Sequence, residues 1–334
     1  MLENILTIKN LNVYYNDSKE DVIKKILNNV ELSVFENDVI GIVGESGSGK
    51  SVLINAIGKN IRSPLSLDAE RLTLYKNKGQ EIIEYLNFNE NQLFTIWGNE
   101  IAFIPPNARD KLNPIITVGE QFVNIIKKHQ DIKENEAKKI VVDIFKKVQM
   151  PDPEENYNSY PHELSGGMAQ RVVISIAFYL SPKLLLADEP TMGLDVTIQK
   201  QVLDLMTNLL SEKKSSIVLA TRDLGIVANY CNKVIVMCSG KIVEQAKVKE
   251  IFKNAKHPYT RYLLEAAFAS HGMDSKVDST KVSSKTDFII KDNKICPFIH
   301  RCNFVKEECR TKEPPFLKIE EDHYVKCHKW EAKD

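Results

Sequence analysis

Gly44-Glu45-Ser46-Gly47-Ser48-Gly49-Lys50-Ser51 has the spacing G-x-x-x-x-G-K-[ST]. Its glycines permit backbone turns closed to residues with a Cβ, so that successive N–H groups can converge on phosphate oxygens. Lys50 is spaced to reach the β- and γ-phosphates, and the Ser51 hydroxyl to complete the shell of a Mg²⁺ ion. The chemistry this predicts is binding of a nucleoside triphosphate together with its metal.

A second reactive pair lies farther along, where the apolar run Leu184-Leu-Leu-Ala187 ends in Asp188-Glu189-Pro-Thr191. A carboxylate at a strand end can hold the water shell of Mg²⁺, and a second can polarise an attacking water. Asp188 takes the first role and Glu189 the second.

These groups need elements to position them. The run Asp38-Val-Ile-Gly-Ile-Val43 reads as a strand delivering the loop, and Ser51–Ile57 as a helix whose N-terminus adds partial positive charge toward the same anion. Short β-branched runs at 38–43, 183–187, 216–220 and 233–237 alternate with helical patterns up to about residue 250. That alternation predicts an α/β core with a largely parallel sheet. Ile198, Val202, Leu205, Met206, Leu209 and Leu210 recur at helical spacing, as in a crossover helix. The stretch 106–180 is helical in pattern, broken by Pro151, Pro153 and Pro161, and reads as an insertion in the core. Residues 273–287 are polar and read as a mobile linker. The expected domains are therefore a core over 1–255, a helix and linker over 256–287, and a Cys-rich tail over 288–334. No internal repeat is present.

Composition narrows the class. The chain of 334 residues is 43% hydrophobic and 27% charged, ordinary for a soluble globular protein. Lys plus Arg and Asp plus Glu number 45 each, so no net field draws the chain to nucleic acid or anionic lipid. No run approaches the roughly 20 apolar residues of a membrane span, and the start lacks the form of a secretion signal. The expectation is a cytosolic protein, held at a membrane only through other subunits.

Leu164-Ser-Gly-Gly-Met-Ala-Gln-Arg171 resembles the signature sequence of ATP-binding cassette (ABC) ATPases. The resemblance implies a P-loop ATPase core with a helical insertion. It also implies that Ser165, Gly166 and Gly167 meet the γ-phosphate of ATP bound on an opposite subunit. Tyr15 matches the family's adenine-stacking aromatic residue, and Asp195 falls in its dimer-contact loop. Leu112-Asn-Pro-Ile-Ile-Thr-Val-Gly-Glu-Gln121, His257-Pro-Tyr-Thr-Arg261 and the cysteine tail resemble the dipeptide, oligopeptide and nickel importer branch. Membership implies a second, related ATPase subunit as heterodimer partner, two membrane permeases, an extracytoplasmic substrate-binding protein and a place at the cytoplasmic face of the membrane. A soluble ABC ATPase of translation or DNA repair is the competing class; such chains generally carry two cassettes or a long coiled coil, and this one has neither.

Two positions depart from the family. Where it has a glutamine in the loop entering the helical insertion, this chain has Pro106, with Asn107 next to it. A pyrrolidine ring offers no amide to Mg²⁺ or water. Where the family has a histidine after the strand 216–220, this chain reads Thr221-Arg222-Asp223. Arg222 can hydrogen-bond a γ-phosphate but cannot relay a proton. The expectation is a site that binds ATP and hydrolyses it slowly or not at all, while the intact signature serves a partner's site; the alternative is that Arg222 is a tolerated variation and both sites are fully active.

Four of the six cysteines, Cys296, Cys302, Cys309 and Cys327, occupy the tail. In a reducing compartment such a cluster points to metal more than to disulfides. The thiolates suit zinc or an iron–sulfur cluster, with His300, His323 and His328 as further nitrogen donors. The resemblance implies a [4Fe–4S] cluster. Cys231 and Cys238, flanking an apolar strand, read as buried structural residues.

Overall fold

The structure is a computed structural model and describes residues 3–17, 22–77, 79–270 and 295–330. The linker expected at 273–287 lies outside the described residues. The chain divides into two compact units, one formed by residues 1–87 and 218–334, the other by 88–217.

The first unit contains an antiparallel sheet. Asn4–Asp17 pairs on one side with Val22–Phe35 and on the other with Leu65–Asp68 and Arg71–Lys76, and the last pairs in turn with Glu81–Glu84. Ile5, Leu6, Ile8, Leu11 and Val13 are buried along the first strand. This sheet is separate from the strands expected to run in parallel, and its own strands are antiparallel. Parallel strands need a crossover of about a dozen residues, and only residues 18–21 separate the first two strands.

The strand below the phosphate loop, Val39–Val43, pairs in parallel with Lys233–Cys238, from Lys233 opposite Ile40 to Val236 opposite Val43. Lys233–Cys238 then pairs antiparallel with Lys241–Lys247. The tail continues the sheet: His323–Lys326 pairs with Lys241–Lys247, and Phe316–Glu320 pairs with His323–Lys326. Cys296, Phe298 and Ile299 enter one hydrophobic cluster with Val43, Val236, Cys238, Val243, Tyr259 and Leu264. The tail thus shares the core of the cassette, which supplies the apolar burial that so short a segment lacks. Cys238 is buried and Cys231 half-buried, and burial pushes both thiols up to about 12, as structural cysteines require.

In the second unit Ile101–Ile104 runs parallel to Leu184–Asp188. Around this pair lie helices Val118–His129, Glu134–Lys147, Pro153–Tyr157, Gly166–Tyr179 and Val196–Lys213. Phe122 meets Phe145 and Tyr179 at ring-centroid distances of 6.3 and 5.6 Å. Pro153 opens its helix and Pro161 opens a 3₁₀ turn, where a missing N–H leaves no bond unmade.

Candidate functional site

In the first unit the loop 44–51 joins the strand Val39–Val43 to the helix Lys50–Ile57. Gly49 is the N-cap of that helix, at φ 102°. The backbone here is left-handed, and a Cβ would stand 2.9 Å from Leu27 Cδ2. Gly44 passes so close to the next strand that a Cβ would meet Met237 O at 2.3 Å. No side chain caps the helix, and a helix start is where backbone N–H groups can meet an anion. Lys50 is buried, and its Nζ donates to Gly44 O at 2.8 Å and Glu45 O at 3.0 Å. Its ammonium is thereby folded over the mouth of the loop, while Ser46 and Gly47 at the loop's crest and Ser51 at the helix start are exposed.

Two other expected residues belong to this unit. Tyr15 lies on the strand Asn4–Asp17 opposite Leu65 and is 37% exposed, which leaves its ring accessible for stacking. Thr221 N–H donates to Ile42 O at 3.0 Å, which fixes the segment 221–223 beside the strand that feeds the loop. Asp223 caps the helix Leu224–Tyr230 by accepting from Gly225 N at 2.7 Å and Ile226 N at 3.2 Å. Arg222, exposed between these two anchors, is presented by a fixed backbone.

The second unit holds the carboxylates and the signature. Asp188 closes a fully buried strand and is itself 7% exposed. Glu189 follows at φ 42°, a strained conformation for a residue with a side chain, of the kind that concentrates at functional sites. Ser165 caps the helix Gly166–Tyr179, its Oγ accepting from Met168 N at 3.3 Å. Ser165 and Gly166 are exposed, whereas Gly167 is packed so that a Cβ would sit 2.5 Å from Ile198 Cγ2. Asp195 caps the helix Val196–Lys213 by accepting from Thr197 N and Ile198 N, both at 3.1 Å. Pro106 and Asn107 follow the strand Ile101–Ile104. Asn107 is left-handed at φ 52°, is exposed, and makes no side-chain cap. Arg109, two residues on, donates to Leu164 O directly before the signature serine.

All four tail cysteines line one cavity together with His257, Ile299, Phe304 and Val305. Backbone N–H groups of Phe304 and Lys306 point at Cys302 Sγ and Cys309 Sγ, each at 3.4 Å. His257 Nδ1 accepts from Tyr259 N, which leaves the proton on Nε2; that atom is buried with no partner among the described residues. Burial pulls His257 down to about 4, against the pull of Glu244, and keeps it neutral. Donors aimed at sulfur and an unmatched N–H in a thiol-lined cavity fit an anionic sulfur-rich group. A single zinc bound by thiolates at about 2.3 Å would bring the sulfurs within roughly 4 Å of one another. Among the described residues no three cysteine sulfurs lie within 4.8 Å of one another; the group that does meet that spacing is Glu250, Glu320 and His323. His328 lines the cysteine cavity, His323 is bonded to Glu244 instead, and His300 is exposed.

Neither Arg301 nor Tyr259 has a role legible from its residue type or spacing, yet both hold the phosphate loop. Arg301 Nη1 and Nη2 donate to Glu45 Oε1 at 2.8 Å and Oε2 at 2.6 Å. Tyr259 Oη accepts from Glu45 N at 2.9 Å. A signal existed in the position of Arg301 directly before Cys302, but only the fold brings it to residue 45.

Comparison with known proteins agrees with this arrangement. The ABC transporter family model matches residues 27–192, and that of the oligopeptide/dipeptide transporter C-terminal region matches 243–309. The chain is 35% identical to the oligopeptide transport ATP-binding protein AppD of Bacillus subtilis, over 99% of this chain and 98% of that protein. It is 37% identical to the dipeptide transport ATP-binding protein DppD of Haemophilus influenzae, over 97% and 95%. Among solved structures, the dimeric ATP-binding cassette MJ0796 in a post-hydrolysis state with ADP and Pi superimposes with a TM-score of 0.62 at 26% identity, over 73% of this chain and 99% of that one. The chain therefore belongs to the ABC transporter family of ATPases, in its oligopeptide/dipeptide branch, and has the ABC ATPase fold.

Proposed function

We propose that this chain is the ATP-binding subunit of a peptide-type ABC importer, coupling ATP binding and hydrolysis to uptake through membrane permeases. The observation that carries this reading is the phosphate loop, with an uncapped helix start, a left-handed Gly49 and Lys50 folded over its mouth. In the first unit residues 44–51 would hold the phosphates, Tyr15 the adenine, and the Ser51 hydroxyl would be a Mg²⁺ ligand; in the second, Asp188 would supply a carboxylate for Mg²⁺ and Glu189 one to polarise the attacking water. Among the described residues no helix is long and apolar enough to cross a membrane. Attachment at the cytoplasmic face then depends on two permease subunits, with a substrate-binding protein delivering cargo from outside.

The chain pairs with a related ATPase subunit whose own phosphate loop receives Ser165, Gly166 and Gly167. Exposure of Ser165 and Gly166 at a helix start supports this role, as does Asp195 at the start of an exposed turn. Its own site is slow, because Pro106 and Arg222 replace groups that hold and deprotonate water. The cysteine cavity holds a [4Fe–4S] cluster on Cys296, Cys302, Cys309 and Cys327, a structural staple for the tail.

Measuring ATPase in the assembled transporter tests the asymmetry. Glu189→Gln here is expected to leave most turnover, and the equivalent change in the partner to abolish it; equal loss from both would refute a slow site in this chain. Iron and acid-labile sulfide in anaerobically purified protein test the cluster, and zinc in their place would overturn it.

A further inference from the structure

Glu45 is the sole acidic residue in the loop 44–51, so the loop that receives a polyanion carries a negative charge of its own. Its carboxylate is met by both terminal nitrogens of Arg301, at 2.8 and 2.6 Å, in a fork that matches its two oxygens. The guanidinium is stacked as well, its carbon 5.1 Å from the Phe298 ring centroid and 5.2 Å from that of Tyr262. An exposed ion pair contributes little. This one is different in kind, because Arg301 is 19% exposed by side chain and is pre-organised by aromatic faces before it meets Glu45.

The backbone of Glu45 is held at the same time. Its N–H donates to Tyr259 Oη, and its carbonyl accepts from Lys50 Nζ. Burial keeps the Tyr259 phenol well above its ordinary range, hence neutral and able to accept. One loop residue therefore links the phosphate-binding lysine to Arg301, whose chain neighbour is Cys302 of the cysteine cavity.

We infer that Arg301 is a positioning residue for nucleotide binding: by cancelling the Glu45 charge and pinning the loop, it lets the Cys-rich tail set the affinity of the phosphate loop for ATP. This rests on the reading of residues 44–51 as the triphosphate site. Without Arg301, the free carboxylate repels the triphosphate and weakens binding; without either charge, most of that penalty disappears.

The test uses the full-length protein, a fluorescent ATP analogue with Mg²⁺, and four variants: Arg301→Met, Glu45→Gln, both together, and Lys50→Ala. Arg301→Met is expected to raise Kd about tenfold, the effect of an uncompensated unit charge a few ångströms away that water screens almost fully. Adding Glu45→Gln to Arg301→Met is expected to recover most of that loss. An unchanged Kd in Arg301→Met overturns the inference, as does a double variant binding as weakly as Arg301→Met, which would leave only tail docking. If Arg301→Met fails to fold by thermal unfolding, Arg301→Lys, which keeps charge without the fork, must give a Kd above the wild-type value; a wild-type value would reject the fork. Lys50→Ala separates the two levels: wild-type binding there sinks the phosphate-loop reading, whereas loss there with no change in Arg301→Met sinks the coupling alone.

Discussion

Glu244 Oε1 and His323 Nε2 lie 2.7 Å apart with both side chains fully buried, joining the cassette strand Lys241–Lys247 to the tail strand His323–Lys326. Glu244 also accepts from Lys256 N at 2.7 Å and His257 N at 2.9 Å. One buried carboxylate thus satisfies three donors from two other segments. Glu244→Ala strands all of them, and the cost of orphaned buried donors is about 3 kcal/mol. Denaturant unfolding should show that loss, and amide exchange at 316–326 should accelerate; a loss below about 1 kcal/mol would mean that water replaces the carboxylate.

The same residue sets an acid limit. Burial pushes Glu244 up, but the His323 and Thr260 side chains and the N–H groups of Lys256 and His257 together outweigh it and hold the carboxyl below its ordinary value of 4.5. A depressed acid stabilises the fold fully above the unfolded value. That contribution is lost progressively as pH falls below 4.5 and is gone below the folded value. Unfolding free energy plotted against pH should therefore drop below that point, and Glu244→Gln should flatten the drop. A parallel drop in both proteins would assign it to other carboxylates.

The phosphate loop, the Asp188-Glu189 strand end and the signature helix start were legible because each depends on local backbone chemistry: glycines, a buried apolar run, a serine cap. The stretch 60–95 was not. Its strand Leu65–Asp68 alternates half-buried and exposed residues and Glu81–Glu84 is mostly exposed, which leaves little apolar signal. The helix Glu90–Ile96 there opens on a capping box between Asn89 and Gln92. Nor did any local pattern show that the tail extends the cassette sheet. That pairing rests on Glu244 meeting His323, a contact 79 residues apart that no local window contains.

Gly167 offers a test of how the signature helix is seated. Its missing Cβ lets Ile198 Cγ2 close to where that atom would be, 2.5 Å away, so the helix packs directly on Val196–Lys213. Gly167→Ala forces the two helices apart and should cost about 1–3 kcal/mol in unfolding free energy. Ile198→Ala in the same chain should return part of it, because the colliding methyl is gone. If the double variant is less stable than the sum of the singles, the helices are coupled by something other than this contact.

The slow-site reading makes its sharpest prediction at Pro106 and Arg222. Position 222 is exposed between Thr221, whose N–H bonds Ile42 O, and Asp223, which caps its helix, so its backbone is held whatever side chain it bears. Asn107 supplies the left-handed turn after Pro106, so that turn does not depend on the ring at 106. Pro106→Gln with Arg222→His restores an amide for Mg²⁺ and a group that can accept a proton near neutral pH. A positioned acid or base contributes about 10²–10⁴-fold to rate. In the assembled transporter, with the partner's attacking-water carboxylate changed to the amide, the double variant should raise residual ATPase by at least about 10²-fold. Unchanged residual turnover at unchanged ATP affinity would show that neither residue limits hydrolysis in this chain.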